Sequence, residues 1–423
     1  MIMLMDKDNY DVAIIGGGLT GLTAAIYLAQ AGKSVIVLEK ESELGGLART
    51  TSLNGALFNL GPRAMYEGGA ALRILNELGC LPKGGYASKG SLIGIMNGAI
   101  VNVPTDLTSE ENKEWGQLMG GLHAIDTEAI RSISIIDWAV EHIKNDRVRL
   151  FFYAMCRQWA YCNEMSELSA GFVIKQGQLA GLGVKYVEGG WQNVIDKLHQ
   201  KATKAGVTIS TGYKAEQIII EEGNIRALLL SSGLTIKVPT IITAVGPVEA
   251  HRLIQGEEQT ALTNWKENSQ PLYAACLDIA LNNLTYPERI FAIGLDEPLY
   301  FSNHSVSVKL SEDPIHILHA MKYNGSNSNS NAEVDEKRLS QLMDLLQPNW
   351  KSEIVATRFS ANVLIAHDLR TVQHHGYGVA PGPCVPEVKG LYVAGDWVGK
   401  EGRLVDAAMA SAKLAAETLL LGD

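Results

Sequence analysis

An α/β fold in two domains is what this sequence predicts, and three observations carry the expectation. The chain has 423 residues, more than one ordinary core accommodates. Residues 11–40 read strand, tight turn, helix, strand, the unit from which parallel sheets are built. Strand-rich stretches at 207–245 and 272–323 follow a block of helical spacing.

In chain order, Val12 to Ile15 is a continuous apolar run, as a strand buried on both faces requires. A glycine cluster leads into the helical stretch Leu22 to Ala31, with Gly32 at the C-cap position. Ser34 to Glu39 is the second apolar strand. From about Glu110 to Gln176 the spacing is helical, with Trp138, Phe151, Phe152, Tyr153, Trp159 and Tyr161 close together. These aromatics read as helical core, or alternatively as the wall of an apolar pocket. Residues 207–245 read as a β-meander with turns at Glu222-Gly223-Asn224 and Ser232-Gly233. "LYAACLDIAL" and "PIHILHAMKY" are further strands, and "NGSNSNSN", 324–331, reads as a mobile solvent loop. The last segment is strand, turn and the helix Val405 to Leu420.

Composition removes several function classes. With 36 basic and 46 acidic residues the net charge is −10, which argues against nucleic acid as a partner. No stretch approaches the ~18 uninterrupted apolar residues of a transmembrane helix, and the opening residues do not read as a signal peptide. The five cysteines form no CxxC, so reduced thiols in a cytoplasmic protein is the expectation. His316, His319, His374 and His375 lack a metal-ligand pattern, so no metal is expected.

Four motifs carry chemistry. Gly16-Gly17-Gly18-Leu19-Thr20-Gly21 fits GxGxxG between a strand and a helix, where glycines permit a tight turn and close approach of backbone to a pyrophosphate. Glu39, at the end of the next strand, is placed for ribose hydroxyls. This pattern specifies a dinucleotide and leaves NAD and FAD open. The second motif, "LEKESELGGLART", sets Gly45 and Gly46 shortly after that acid; the third, "FNLGPRAMY", places Arg63 after Gly61-Pro62. The fourth, "GLYVAGDWVGKEG", puts Gly395 and Asp396 at a strand end before an alanine-rich helix. Alone, Asp396 reads as a helix cap. A simple NAD dehydrogenase accounts for the first motif and leaves this last one unexplained.

Taken in order, "IIGGGLTGLTAAIYLAQAGKSVIVLEK", "LGGLART", "FNLGPRAMY", "YVEGGWQNVIDKL", "TAVGP" and "GLYVAGDWVGKEGRLVDAAMASA" resemble the FAD-dependent amine oxidase and phytoene desaturase superfamily, which includes protoporphyrinogen oxidases. The resemblance implies an amine-oxidase-like two-domain flavoprotein. A Rossmann-type FAD-binding domain (1–75, 180–255 and 385–423) would interleave with an α+β substrate domain carrying a helical cap (76–179 and 256–384). It implies that Gly16, Gly18, Leu19, Thr20 and Gly21 carry the pyrophosphate and Glu39 the ribose, with Lys40 or Arg49 supplying positive charge. Gly45, Gly46, Leu47, Gly61, Pro62 and Arg63 would lie on the flavin side, and Ala215 against the adenine. Gly395 and Asp396 would meet the pyrophosphate and ribityl chain, and Leu404 and Val405 the flavin ring. Arg63, Tyr300 and Trp397 are candidates to face the flavin; no catalytic side chain is named.

The implied reaction is oxidation or desaturation of a small, largely apolar molecule by hydride transfer to flavin N5. Because "TAVGPVEA" has one glycine, no separate nicotinamide site is expected, and oxygen, a quinone or another carrier would reoxidise the flavin. Peripheral membrane contact and oligomeric state stay open. Two alternatives are an amine oxidase proper using oxygen and a non-redox binding protein on the same fold. The sequence departs from the family at Glu43 and Leu47, where arginines are common, and at Arg63, where a histidine is. "LYAACLDIAL" also lacks the lysine that many amine oxidases place near flavin N5.

Overall fold

Every residue of Val12–Ile15 and of Val35–Glu39 is buried, and the two strands pair in parallel with Val12 opposite Val35. They form the centre of a five-stranded parallel sheet in the computed structural model, which describes residues 10–87, 92–103, 105–254, 260–326 and 330–422. The order is Thr208–Thr211, Val35–Glu39, Val12–Ile15, Thr240–Thr243, Leu391–Val393. The sheet therefore draws strands from the start, the middle and the end of the chain.

The expected meander over 207–245 is corrected here. Only Ala215–Glu221, Asn224–Leu230 and Thr235–Lys237 form an antiparallel meander. Thr208–Thr211 and Thr240–Thr243 join the parallel sheet instead. Short apolar runs look alike in both settings, and only the partner strands distinguish them.

The helix Leu19–Gln30 packs between the sheet, the terminal helix Val405–Leu421 and the helix Gln192–Lys204. Ala24 and Ala25 on one side and Ala412, Ala415 and Ala416 on the other are fully buried. Small side chains let these helix axes approach closely.

A second, seven-stranded sheet has the order Ile354–Ala366, Leu272–Leu281, His316–Gly325, Leu299–Asn303, Phe291–Gly294, Leu92–Met96, Ala99–Val103. The helix Ala332–Leu346 covers one face through Leu339, Leu342, Met343 and Leu346. Because side chains alternate along a strand, Cys276 and Asp278 share a face of Leu272–Leu281. Cys276 packs in a different cluster from the one beneath the helix.

The helical block consists of Ser109–Gly121, Ile135–His142, Asp146–Ala160 and Ala170–Leu182. Trp138, Phe152 and Trp159 are buried in its own core, while Tyr161 ends a helix in the left-handed region at φ 62. The "NGSNSNSN" loop is narrower than expected: Gly325 closes a strand, Asn331 caps the helix Ala332–Leu346, and 327–329 lie outside the described residues. The reading of the N-terminus falls largely on residues 1–9, also outside them. Among the described residues no helix is long and apolar enough to cross a membrane.

Candidate active site

The parallel strands deliver Gly16, Glu39, Ala244 and Gly395 to one edge of the sheet, where open α/β folds bind ligands. A cleft of about 570 Å³ opens there, within the range typical of cofactor sites. Of the residues picked out from sequence, Gly16, Gly18, Leu19, Thr20, Glu39 and Lys40 line it from the first motif. Gly45, Gly46, Leu47, Arg49 and Arg63 line its middle, and Ala215, Gly395, Asp396, Leu404 and Val405 complete it.

The glycines divide by what a side chain would meet. A Cβ on Gly18 would find only the Gly45 carbonyl carbon and oxygen, the nearer at 3.7 Å, and one on Gly46 only Gly18 Cα at 3.8 Å. Nothing in the protein demands glycine at Gly18 by contact; a side chain there would fill the cleft. Gly21 is the opposite case, since its Cβ would lie 1.9 Å from the Gly16 carbonyl oxygen. Gly21 does not line the cleft, and it lets the helix Leu19–Gln30 sit against the first strand. Gly45 closes the cradle by donating its N–H to the Gly17 carbonyl at 3.0 Å.

Two acids face the cleft from the C-terminal ends of two different strands of the parallel sheet. Glu39 is 7% exposed and its Oε2 accepts the Gly17 N–H at 2.8 Å. Asp396 is held differently. His367, which also lines the cleft, donates its backbone N–H to Oδ2 at 3.0 Å and sets Nδ1 2.8 Å from Oδ1. Burial alone would push the Asp396 carboxyl up, but His367 and Arg403 outweigh it and hold it down at about 2. Behind them, Arg370 donates to the Asp396 carbonyl and Arg403 to that of Asp368.

A smaller cavity of about 60 Å³ adjoins the cleft and shares Leu60, Arg63, Trp191, Ile365, Leu404 and Val405 with it. Gly61 and Pro62 line this cavity rather than the cleft, and Tyr161, Cys276, Met321, Val363 and Leu364 form its far wall. The wall thus belongs largely to the seven-stranded sheet. Arg358 ties that sheet to the segment before Gly61: it bonds Asp278 at 2.5 Å and donates to the Asn59 carbonyl. Burial lowers the Arg63 guanidinium to about 10, so it remains a cation at neutral pH. Leu404, at φ 48, precedes the N-terminus of the helix Val405–Leu421. A leucine with positive φ is strained backbone, retained where the surroundings over-determine it.

Two candidates are not brought to the site. Trp397 is fully buried, donates Nε1–H to the Val245 carbonyl at 2.9 Å and packs against Trp265. Tyr300 lies in an apolar cluster with Phe291 edge-on at 5.6 Å. Both line neither cavity. Residues that sequence reasoning missed include His367, Trp191, Tyr213, Lys214 and Cys276. Trp191 sits in the quoted "EGGWQNV" stretch, yet nothing local reveals that its indole N–H is buried without a partner.

The donors and space fit an extended dinucleotide that carries a flavin. Gly18 and Gly46 leave a cradle, Glu39 offers acceptors, and the Trp191 Nε1–H and Arg63 Nε–H are buried without partners where the two cavities meet.

Comparison with known proteins bears on the same point. The family described as FAD dependent oxidoreductase matches residues 11–418. Carotenoid 3,4-desaturase of Haloarcula japonica is 46% identical over 59 residues, 14% of this chain and 12% of that protein. "Probable flavin-containing monoamine oxidase A" of Dictyostelium discoideum is 25% identical over 274 residues, 58% of this chain and 59% of that protein. The chain thus matches less than two thirds of the length of either relative. An oxidoreductase from Methanosarcina mazei has the same fold, with TM-score 0.77 at 18% identity over 96% of this chain and 100% of that one.

Proposed function

The chain belongs to the family of FAD-dependent oxidoreductases, and from that premise we propose that it oxidises or desaturates a small, neutral or anionic, largely apolar molecule. The observation that carries this reading is the small cavity, continuous with the cofactor cleft and presenting the Arg63 cation among apolar neighbours. Bound FAD supplies the chemistry by accepting a hydride equivalent from a substrate C–H bond. The chain's own residues orient the substrate and keep water out. Pro62, Met321, Val363 and Leu364 surround the reacting end.

Arg63 also discriminates by charge. A guanidinium beside the reacting end repels a protonated amine and favours a neutral or acidic group. Amine oxidation is therefore the second reading, favoured by the monoamine oxidase relative and opposed by this cation. The cofactor domain is taken to gather 1–75, 180–255 and 385–423, with the two intervening segments around the substrate. Oxygen, a quinone or another carrier is taken as the electron acceptor, because the chain has a single glycine fingerprint.

Anaerobic mixing of the holoprotein with matched series of neutral polyenes, apolar acids and primary amines tests the reading. Bleaching of the flavin absorbance by the first two series is expected. Bleaching by the amines alone overturns it.

A further inference from the structure

We propose that His367 belongs to the cofactor site: it neutralises Asp396 so that the cleft accepts the dianionic pyrophosphate of FAD, and it thereby links FAD affinity to pH. The inference rests on the assignment of the cleft to FAD and goes beyond it by giving a role to a residue outside every sequence motif.

The geometry is specific. His367 follows directly on the strand Ile354–Ala366 and lines the cleft together with Gly16, Gly18 and Asp396. One residue engages both oxygens of the Asp396 carboxylate, through its backbone N–H at 3.0 Å and its Nδ1 at 2.8 Å. The opposite edge of the ring lies over Gly246, where a Cβ would stand 2.4 Å from Cδ2 and 2.7 Å from Nε2. A side chain at Gly246 would displace the imidazole, so the ring is fixed between an acid and a glycine.

The electrostatic consequence follows from counting charge. With His367 protonated, the His367–Asp396 pair is neutral. With His367 neutral, the pair carries one negative charge at the wall of a cleft that must receive two phosphate charges. Such repulsion is strong where water is partly excluded. The nearby guanidinium of Arg370 hydrogen-bonds the Asp396 backbone carbonyl, not its carboxylate, through Nη2. Arg403 and Asp368 also act on His367, and the charged side chains that line the same cleft are Glu39, Lys40, Glu41, Arg49, Arg63, Lys214 and Glu249. Burial disfavours the imidazolium, but Asp396 more than compensates and raises the His367 pKa above its usual value. The imidazolium is therefore lost only as pH rises through that raised value, and FAD affinity falls over the same range. By linkage, FAD binding in that range takes up protons.

The test measures the FAD dissociation constant of the apoprotein by equilibrium dialysis from about pH 6 to about pH 9, the range in which histidines ordinarily lose their charge. Wild type is expected to weaken by about fivefold or more across the range, a coupling of ordinary size. His367→Gln is expected to bind more weakly at the acid end and to lose the slope. Calorimetry of wild type in two buffers of different ionisation enthalpy supplies a readout independent of the variant's folding: net proton uptake on FAD binding is expected at the alkaline end. Tight binding with a flat profile and no proton uptake overturns the role of His367 and leaves the FAD assignment intact. Failure to bind FAD at any pH contradicts the assignment and overturns both.

Discussion

The carboxylate of Glu39 accepts the backbone N–H of Gly17 at 2.8 Å, across a separation of 22 residues. Its second oxygen accepts the N–H of Glu41 at 2.9 Å. The acid at the end of the second strand thus fixes the turn after the first before any ligand arrives, and its side chain lines the cleft. Replacing Glu39 with alanine leaves the Gly17 N–H without its partner, at a cost of about 1–3 kcal/mol. It also removes the acceptor placed for ribose. Urea unfolding of the apoprotein should show that loss, and an FAD titration should show affinity reduced by about tenfold, or ~1.4 kcal/mol. Unchanged affinity in the folded variant would remove Glu39 from the cofactor site.

Gly18 and Gly21, three residues apart, should fail in different ways. Gly18→Ala places its Cβ in open cleft on backbone that any residue adopts, at φ −87. Apoprotein stability should stay within about 0.5 kcal/mol of wild type, as for substitutions that disturb no packing, while FAD binding weakens. Gly21→Ala drives a Cβ to 1.9 Å from the Gly16 carbonyl oxygen and should cost about 1–3 kcal/mol by overpacking alone. Thermal unfolding of both apoproteins separates the two roles, and equal losses of stability would contradict the distinction.

This contrast shows what the sequence discloses and what it withholds. The glycine fingerprint, Glu39 and Gly395-Asp396 are legible because each is a local pattern at a strand end, where the fold must bring ligand and backbone together. His367 is not legible: it meets Asp396 across 29 residues through the order of strands in space, which no spacing records. Trp397 fails for a related reason. Its neighbour Asp396 faces the cleft, while its own indole turns inward to Val245 and Trp265. The meander was half legible, because apolar runs announce strands without naming their partners. Cys276 reaches the small cavity because Leu272–Leu281 lies between Ile354–Ala366 and His316–Gly325 in the second sheet, whose Val363, Leu364 and Met321 share that wall.

Asp406 supplies a prediction in pH. It is 2% exposed in the first turn of the helix Val405–Leu421, and its Oδ1 accepts the Ala71 N–H at 2.8 Å. Burial pushes its carboxyl up to about 6, outweighing the Ala71 N–H that favours the anion. An unfolded aspartate titrates near ~3.9. Between those values the folded protein binds the extra proton, so stability is greatest on the acid side and declines as pH rises. Asp406→Asn lacks this dependence. Its stability relative to wild type should increase by about 2 kcal/mol from about pH 4 to about pH 7, the size of a shift of this order. Denaturant unfolding of the two apoproteins at both pH values measures it, and a constant difference would contradict the buried-acid account.

The central claim is that three distant parts of the chain build one FAD site. Titration of the apoprotein with FAD, followed by release and quantitation of the flavin, tests it most directly. The account predicts saturation at one FAD per chain, with near-complete loss when Gly18 is replaced by a bulky residue. A colourless protein that takes up no added FAD, or a Gly18 variant that retains it fully, would contradict the claim.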